Sequence, residues 1–176
     1  MTDNELWALL VSVINTGLTA RGITATVQQS HQPTQQGVQT CPSVILSNVT
    51  AKRYGSPNNK SIPATGNTAT QTESYIVERT IQVGALSIQN PNRPGRTAFD
   101  IVDAVSAIMQ SEATRNTLRA AGVGIIRIQD IRTPYFLDDK DRHESDPSFD
   151  FTVNYTQSNS ATVPTVVGYD YGIHPV

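Results

Sequence analysis

The sequence has little charge and almost no cysteine. Of its 176 residues, 16% are charged, against about 25% in ordinary soluble domains, and the formal net charge is -2. A chain so close to neutral lacks the overall positive potential that attracts nucleic acid or an anionic membrane surface. Cys41 is the single cysteine, which excludes an internal disulfide and any metal site built from several thiolates.

Targeting and membrane-spanning signals are missing as well. The first residues, Met1 to Trp7, include Asp3 and Glu5 and no positively charged region, so we expect no secretory signal. No apolar run approaches the roughly 18 residues that a spanning helix needs. These features predict a protein that is made and used in solution, without a membrane partner. At this length one core suffices, because a chain of this size buries about two thirds of its unfolded surface.

Neutral polar residues take the place of the missing charge. Ser, Thr, Asn and Gln number 58, about a third of the chain. A neighbouring molecule can cover such a surface without stranding charges, which are costly to bury unpaired. Many extracellular and low-charge domains share this composition, so composition alone does not separate a self-assembling protein from these.

Periodicity predicts an opening helix and then strands. Thr2 and Glu5 have the spacing of a capping box, and an apolar stripe with helical period runs to Leu18. A period of two begins at Ile23, and a second strand is predicted over 43–54. The polar stretch 55–72 is predicted as a long loop or a β-hairpin extension, and 73–88 as a long strand that bends at Gly84 or protrudes as half of a hairpin.

The second half predicts two helices and two strands. The helices cover 96–110 and 111–121, with Gly122 after the second. A strand over 123–132 shifts phase near Ile125, which indicates a bulge or a stretch buried on both faces, and a final strand begins at Phe149. We therefore predict an α+β fold of order α-β-β-β-α-α-β-β, with an antiparallel or mixed sheet flanked by helices on one face. The domain is placed at 1–157 and a C-terminal extension at 158–176.

The sequence contains no motif typical of a metal site, a catalytic site or a phosphate-binding loop. The acidic run 138–146 lacks the glycine of a calcium loop and has one histidine, His143, so a solvated loop is predicted. There is no G-x-S-x-G turn, and the three histidines lie in loop-like or tail segments. Gly122 and Gly124 follow a helix and enter a strand, the reverse of a phosphate-binding loop. We expect no catalytic residue, no metal and no cofactor.

Several segments together resemble the neck and tail-terminator proteins of tailed bacteriophages. They are S-Y-I-V-E-R-T-I-Q-V (74–83), L-R-A-A-G-V-G-I (118–125), P-Y-F-L-D-D-K-D-R-H-E (134–144) and F-D-F-T-V-N-Y (149–155). The likeness covers roughly residues 1–157. It implies a virion protein that forms a hexameric ring, terminates the tail tube and connects the tail to the neck.

The resemblance also implies the partners of such a ring. They are further copies of this chain, a tail tube protein, a neck or connector protein, a sheath protein, and genomic DNA that passes without sequence recognition. The candidate contact residues are polar and aromatic side chains of the predicted extension, its neighbouring strand, the acidic run and the tail: Tyr54, Asn58, Lys60, Tyr75, Arg79, Asp138, Asp139, Arg142, Tyr169 and Tyr171. Two alternatives stay open, a small hydrolase that uses Ser and His from loops and a monomeric binding module that uses the 55–72 segment.

Overall fold

The structure is a computed structural model that describes residues 1–30, 42–87, 95–137 and 143–165. These residues contain three helices and seven strands. The helices are α1 (Asp3–Ala20), α2 (Ala98–Gln110) and α3 (Glu112–Ala120). The strands are β1 (Thr26–Gln29), β2 (Ser43–Pro63), β3 (Thr68–Leu86), β4 (Val123–Ile128), β5 (Tyr135–Leu137), β6 (His143–Ser145) and β7 (Ser148–Pro164).

Capping boxes begin the first two helices. The Thr2 hydroxyl accepts from the Glu5 N–H, and the Thr2 N–H donates to the Glu5 carboxylate, which confirms the box predicted from the sequence. Thr97 and Asp100 form a second box in the same way. Both boxes satisfy backbone donors that would otherwise have no partner in the first turn. Gly122 follows α3 with φ of 78°, a conformation that favours glycine.

Five strands form one mixed sheet in the order β1-β2-β3-β7-β4, and β5 and β6 form a separate pair. The first pair, β1 with β2, is parallel, and the other neighbours are antiparallel. This confirms the predicted fold class. The irregularity between Ile125 and Arg127 confirms the predicted bulge, although β4 ends at Ile128. Likewise, β1 begins three residues later than its predicted start.

The core lies between the helices and one face of the sheet, which we call the inner face. This face carries Val77, Ile81 and Val83 of β3 and their β7 partners, and it packs on apolar residues of all three helices. Trp7 is a core residue and is 5% exposed. The opposite, open face carries polar residues. Near Gly84 the chain around Asp146 covers it, and a Cβ atom at position 84 would lie 3.7 Å from the Asp146 carboxylate.

Three strands are far longer than the average of five or six residues. With 21, 19 and 17 residues, β2, β3 and β7 run beyond the helices as a three-stranded sheet. We call this part the β-extension and define it as residues 58–74 and 158–164, which lie at one level of the register. At about 3.3 Å per residue it is roughly 20 Å long. The hairpin alternative predicted for residues 55–72 is therefore the one that the fold adopts.

The last strand also extends past the predicted domain boundary. Residues 158–176 are predicted as a C-terminal extension, yet 158–164 continue β7 and pair with β3. Their Ser, Thr and Asn side chains give no apolar alternation, so the strand is not evident from the apolar pattern of the sequence. Residues 166–176 lie outside the described part of the chain.

Candidate assembly surface

The β-extension exposes both of its faces. Ala69 is the one apolar residue of the extension that is buried, whereas the strands next to the helices bury most of their inner-face residues. Lys60 and Glu73 are its two charged residues. A sheet with so little buried apolar area gains little from its own packing, and its exposed surface is free to contact another molecule.

Hydroxyl pairs connect the strands of the open face. Thr72 and Ser160 hydroxyls lie 2.9 Å apart, and those of Ser74 and Ser158 lie 3.0 Å apart. A third pair, Thr80 with Thr152, continues the row toward the body of the protein. Cross-strand pairs of this kind contribute about 0.2–1 kcal/mol each. They help to hold a polar sheet together where no core lies behind it.

An exposed apolar pair lies on the open face where the extension begins. Tyr54 of β2 and Ile76 of β3 are direct register partners, and they are 48% and 55% exposed. Partial burial, together with the hydrogen bond and the negative charge of Glu78, raises the pKa of the Tyr54 hydroxyl. The hydroxyl therefore stays a neutral hydrogen-bonding group across the physiological pH range. Ile62, near the tip, is also about half exposed.

Two arginines lie over aromatic rings on the inner face. The Arg53 guanidinium carbon is 5.6 Å from the centre of the Tyr75 ring, and that of Arg79 is 5.9 Å from the centre of the Trp7 ring. Arg79 also forms an ion pair with Asp3. The Arg79 contacts tie β3 to α1, and the Arg53 contact lies nearer the base of the extension.

The two outer edges of the extension differ. On β2, the register shifts twice, between Asn48 and Thr50 and between Tyr54 and Asn58. The same edge strand carries Lys60 and ends at Pro63. Bulges and lysine oppose the addition of another strand. On β7, which likewise ends at a proline, Pro164, residues 156–163 contain no charge and the register with β3 is continuous.

The structure brings together some of the predicted contact residues and separates others. Tyr54, Asn58 and Lys60 are exposed on β2, at or near the extension, and Tyr75 is half buried under Arg53. Arg79 is engaged within the subunit, with a side chain 13% exposed. The remaining five candidates, Asp138, Asp139, Arg142, Tyr169 and Tyr171, lie outside the described residues.

Two parts of this surface are not predicted from the sequence. The exposed position of Ile76 follows from register, because its neighbours Tyr75 and Val77 fall on the opposite face. The outer edge of β7 lies in a segment with almost no apolar residues. The alternation of hydroxyl residues from Thr156 to Thr162 is the one signal that could have revealed it.

Two small depressions lie on the described part of the surface. They have volumes of about 220 and 210 Å³ and lie beside Leu18 and beside Glu73. Both are smaller than the 300–1,000 Å³ that is usual for ligand pockets. Within the described ranges, no group of three or more His, Cys, Asp or Glu side chains is arranged to hold a metal ion. None of the helices described has the length and apolarity required to cross a bilayer.

Comparison with known proteins identifies a family. The family model described as E217 gateway protein gp29 matches residues 5–165, which is most of the chain and includes the whole β-extension. Comparison with curated proteins gives no match. The family consists of structural proteins of the phage head-tail region, which agrees with the expected neck or tail-joining class without singling out the tail terminators. The chain therefore belongs to the E217 gateway protein gp29 family, a family of phage head-tail gateway proteins.

Proposed function

We propose that this protein forms a ring, with six copies as the expected number, at the head-proximal end of the phage tail. There it terminates the tail tube and joins the tail to the neck, with copies of itself, the tube protein and a connector protein as neighbours. A sheath protein is a further neighbour where the tail is contractile. The observation that carries this proposal is the β-extension, which has almost no core of its own and offers exposed strands to other subunits.

Ring closure requires two different surfaces on each subunit that match each other. The open face around Tyr54 and Ile76 and the edges of the extension supply exposed apolar side chains and unpaired backbone groups. Extended strands of one subunit can then add to the sheet of the next, with backbone hydrogen bonds supplying affinity. The predicted order of events is that the ring closes, covers the end of the tube and presents its other side to the connector.

The charge of the extension suits a conduit for DNA. Binding to duplex DNA depends mainly on lysine and arginine contacts to phosphates. The extension has one such residue, Lys60, balanced by Glu73, and its other polar groups are neutral. A surface of this kind passes DNA without holding it. We therefore expect DNA to pass without sequence recognition by this protein.

Electron microscopy of the purified full-length chain, alone and mixed with assembling tail tubes, tests the proposal. We expect rings of six copies, and tubes that carry one ring at one end and stop growing. Tubes that elongate at an unchanged rate, with a chain that stays monomeric at every concentration and on the tube, would contradict it.

A further inference from the structure

The backbone of β7 alternates in direction, and contacts near its start show which residues point outward. Ser148 exchanges two backbone hydrogen bonds of 2.8 Å with Arg132, and the Asp150 carbonyl accepts from the Gln129 N–H at 2.8 Å. All three bonds lie on the side of β7 away from β3. Even-numbered residues of β7 therefore turn their N–H and C=O groups outward.

The alternation continues unbroken to the end of the strand. The register with β3 runs from Ser148 to Pro164 without a shift, and β4 covers the outer edge only as far as Tyr155. The Thr156 carbonyl accepts from the amino group of Met1 at 3.2 Å. Beyond it, within the described part of the chain, Ser158, Ser160 and Thr162 present N–H and C=O groups that no strand pairs.

We propose that this outer edge of β7, residues 158–162, is a strand-pairing surface that joins the protein to a second copy of itself. This edge is self-complementary, because the same residues of two copies can pair as antiparallel strands. With Ser160 opposite Ser160 of the second copy, Ser158 falls opposite Thr162, and the three antiparallel pairs form about six N–H···O=C bonds.

The side chains along this edge also favour pairing with a second copy of the chain. The residues between Thr156 and Val163 are uncharged, so two copies approach without like charges meeting and without burying an unpaired charge. On the open face the new pairs would place small hydroxyl side chains side by side, as Thr72 and Ser160 already lie within one subunit. The row of hydroxyl pairs would then continue from one copy into the next.

The proposed contact is distinct from ring closure. Pairing of β7 with β7 has two-fold symmetry and joins two copies, whereas a ring requires two different surfaces on each subunit. The two-fold contact depends on the outward N–H of Ser160, and ring closure through other surfaces does not. Rings that form in Ser160→Pro therefore support the proposed function, while two-fold pairs that persist without this N–H overturn the present proposal.

Proline substitution of the full-length chain tests the edge. Ser160→Pro removes an outward N–H and leaves the bonds to β3 in place, a position where strands tolerate proline. Ser160→Ala is the matched control, since it loses the same hydroxyl but keeps the N–H. Ala161→Pro removes an N–H that points to β3, and it should lower Tm where Ser160→Pro does not.

Sedimentation and native mass over a range of concentrations give the readout. We expect Ser160→Ala to pair nearly as well as the parent, and Ser160→Pro to weaken the pairing of two copies at least tenfold relative to Ser160→Ala, with its Tm retained. A chain in which two copies never pair, or pairing equally strong in Ser160→Pro, would overturn the proposal. Should Ser160→Pro fail to fold, hydrogen exchange of the parent decides. The amides of Ser158, Ser160 and Thr162 must exchange more slowly in the assembly than in the dilute chain, and equal rates would refute the pairing.

Discussion

Removing the tip of the β-extension should leave the fold intact and abolish assembly. The change replaces Ser61–Gln71 by Asn-Gly, so that the register partners Lys60 and Thr72 are joined by a two-residue hairpin turn. The deleted segment contains no charged residue, so the net charge and the long-range electrostatics of the chain are unchanged. Any effect on assembly then comes from the lost surface and from residues 161–164 of β7, which lose their β3 partners.

The cost to stability follows from burial. Ala69 is the buried apolar residue within the deleted segment, and its methyl group contributes about 0.8 kcal/mol. For a chain of this length, 1 kcal/mol shifts Tm by about 2–4 °C, so we expect a Tm within about 5 °C of the parent. Differential scanning calorimetry measures this, and native mass measures assembly.

Either of two results would refute the reasoning. A fall in Tm of more than about 10 °C would mean that the extension is an integral part of the cooperative fold. Undiminished assembly of a well-folded variant would mean that subunits meet elsewhere.

Three further predictions test contacts within the body of the fold. Phe151→Ala, in the middle of the core, should lower the free energy of unfolding by about 3–5 kcal/mol in urea titration, and a loss below about 1 kcal/mol would contradict its burial. Hydrogen bonds from the Thr97 backbone and hydroxyl hold the pKa of Asp100 below its ordinary value. The cap therefore contributes its full stability at a pH above the ordinary pKa, and this contribution is lost as the pH falls through the lowered pKa of the folded state. Asp100→Asn should therefore flatten the acid side of the stability profile; Asp103→Asn, which removes the same charge outside the cap, is the control, and identical profiles for the two would refute the assignment. Arg79→Met should cost about 1–2 kcal/mol and shift the emission of Trp7, the single tryptophan, and an unchanged spectrum would show that the contact has no weight.

The sequence predicts the body of the fold because local signals there agree with burial. Each of three local patterns is compatible with one kind of element. The Thr2 capping box and the apolar stripe ending at Leu18 specify a helix, and the alternation from Phe149 to Tyr155 specifies a strand. The helices and the central strands follow from these signals. The second half of β2 does not, since residues 55–63 read as loop from their Gly, Pro and Asn content. They form a strand because β3 provides a paired edge beside them.

The candidate surface is less predictable than the fold for the same reason. Tyr54 and Lys60 can be named from the sequence as aromatic or polar side chains in or beside a polar segment, whereas nothing near Arg79 indicates its stacking on Trp7. The outward direction of the Ser160 backbone depends on pairing with a strand 88 residues away in sequence. Backbone direction and pairing between distant segments cannot be predicted from composition.

Reconstitution of joined particles tests the central claim most directly. Filled heads and tail tubes assembled without this protein are mixed, with and without the purified chain, and joined particles are counted by electron microscopy. We expect joining to require the full-length chain, and the variant without Ser61–Gln71 to fail to support it. Heads and tails that join equally well without the protein would contradict the claim that it is the gateway between them.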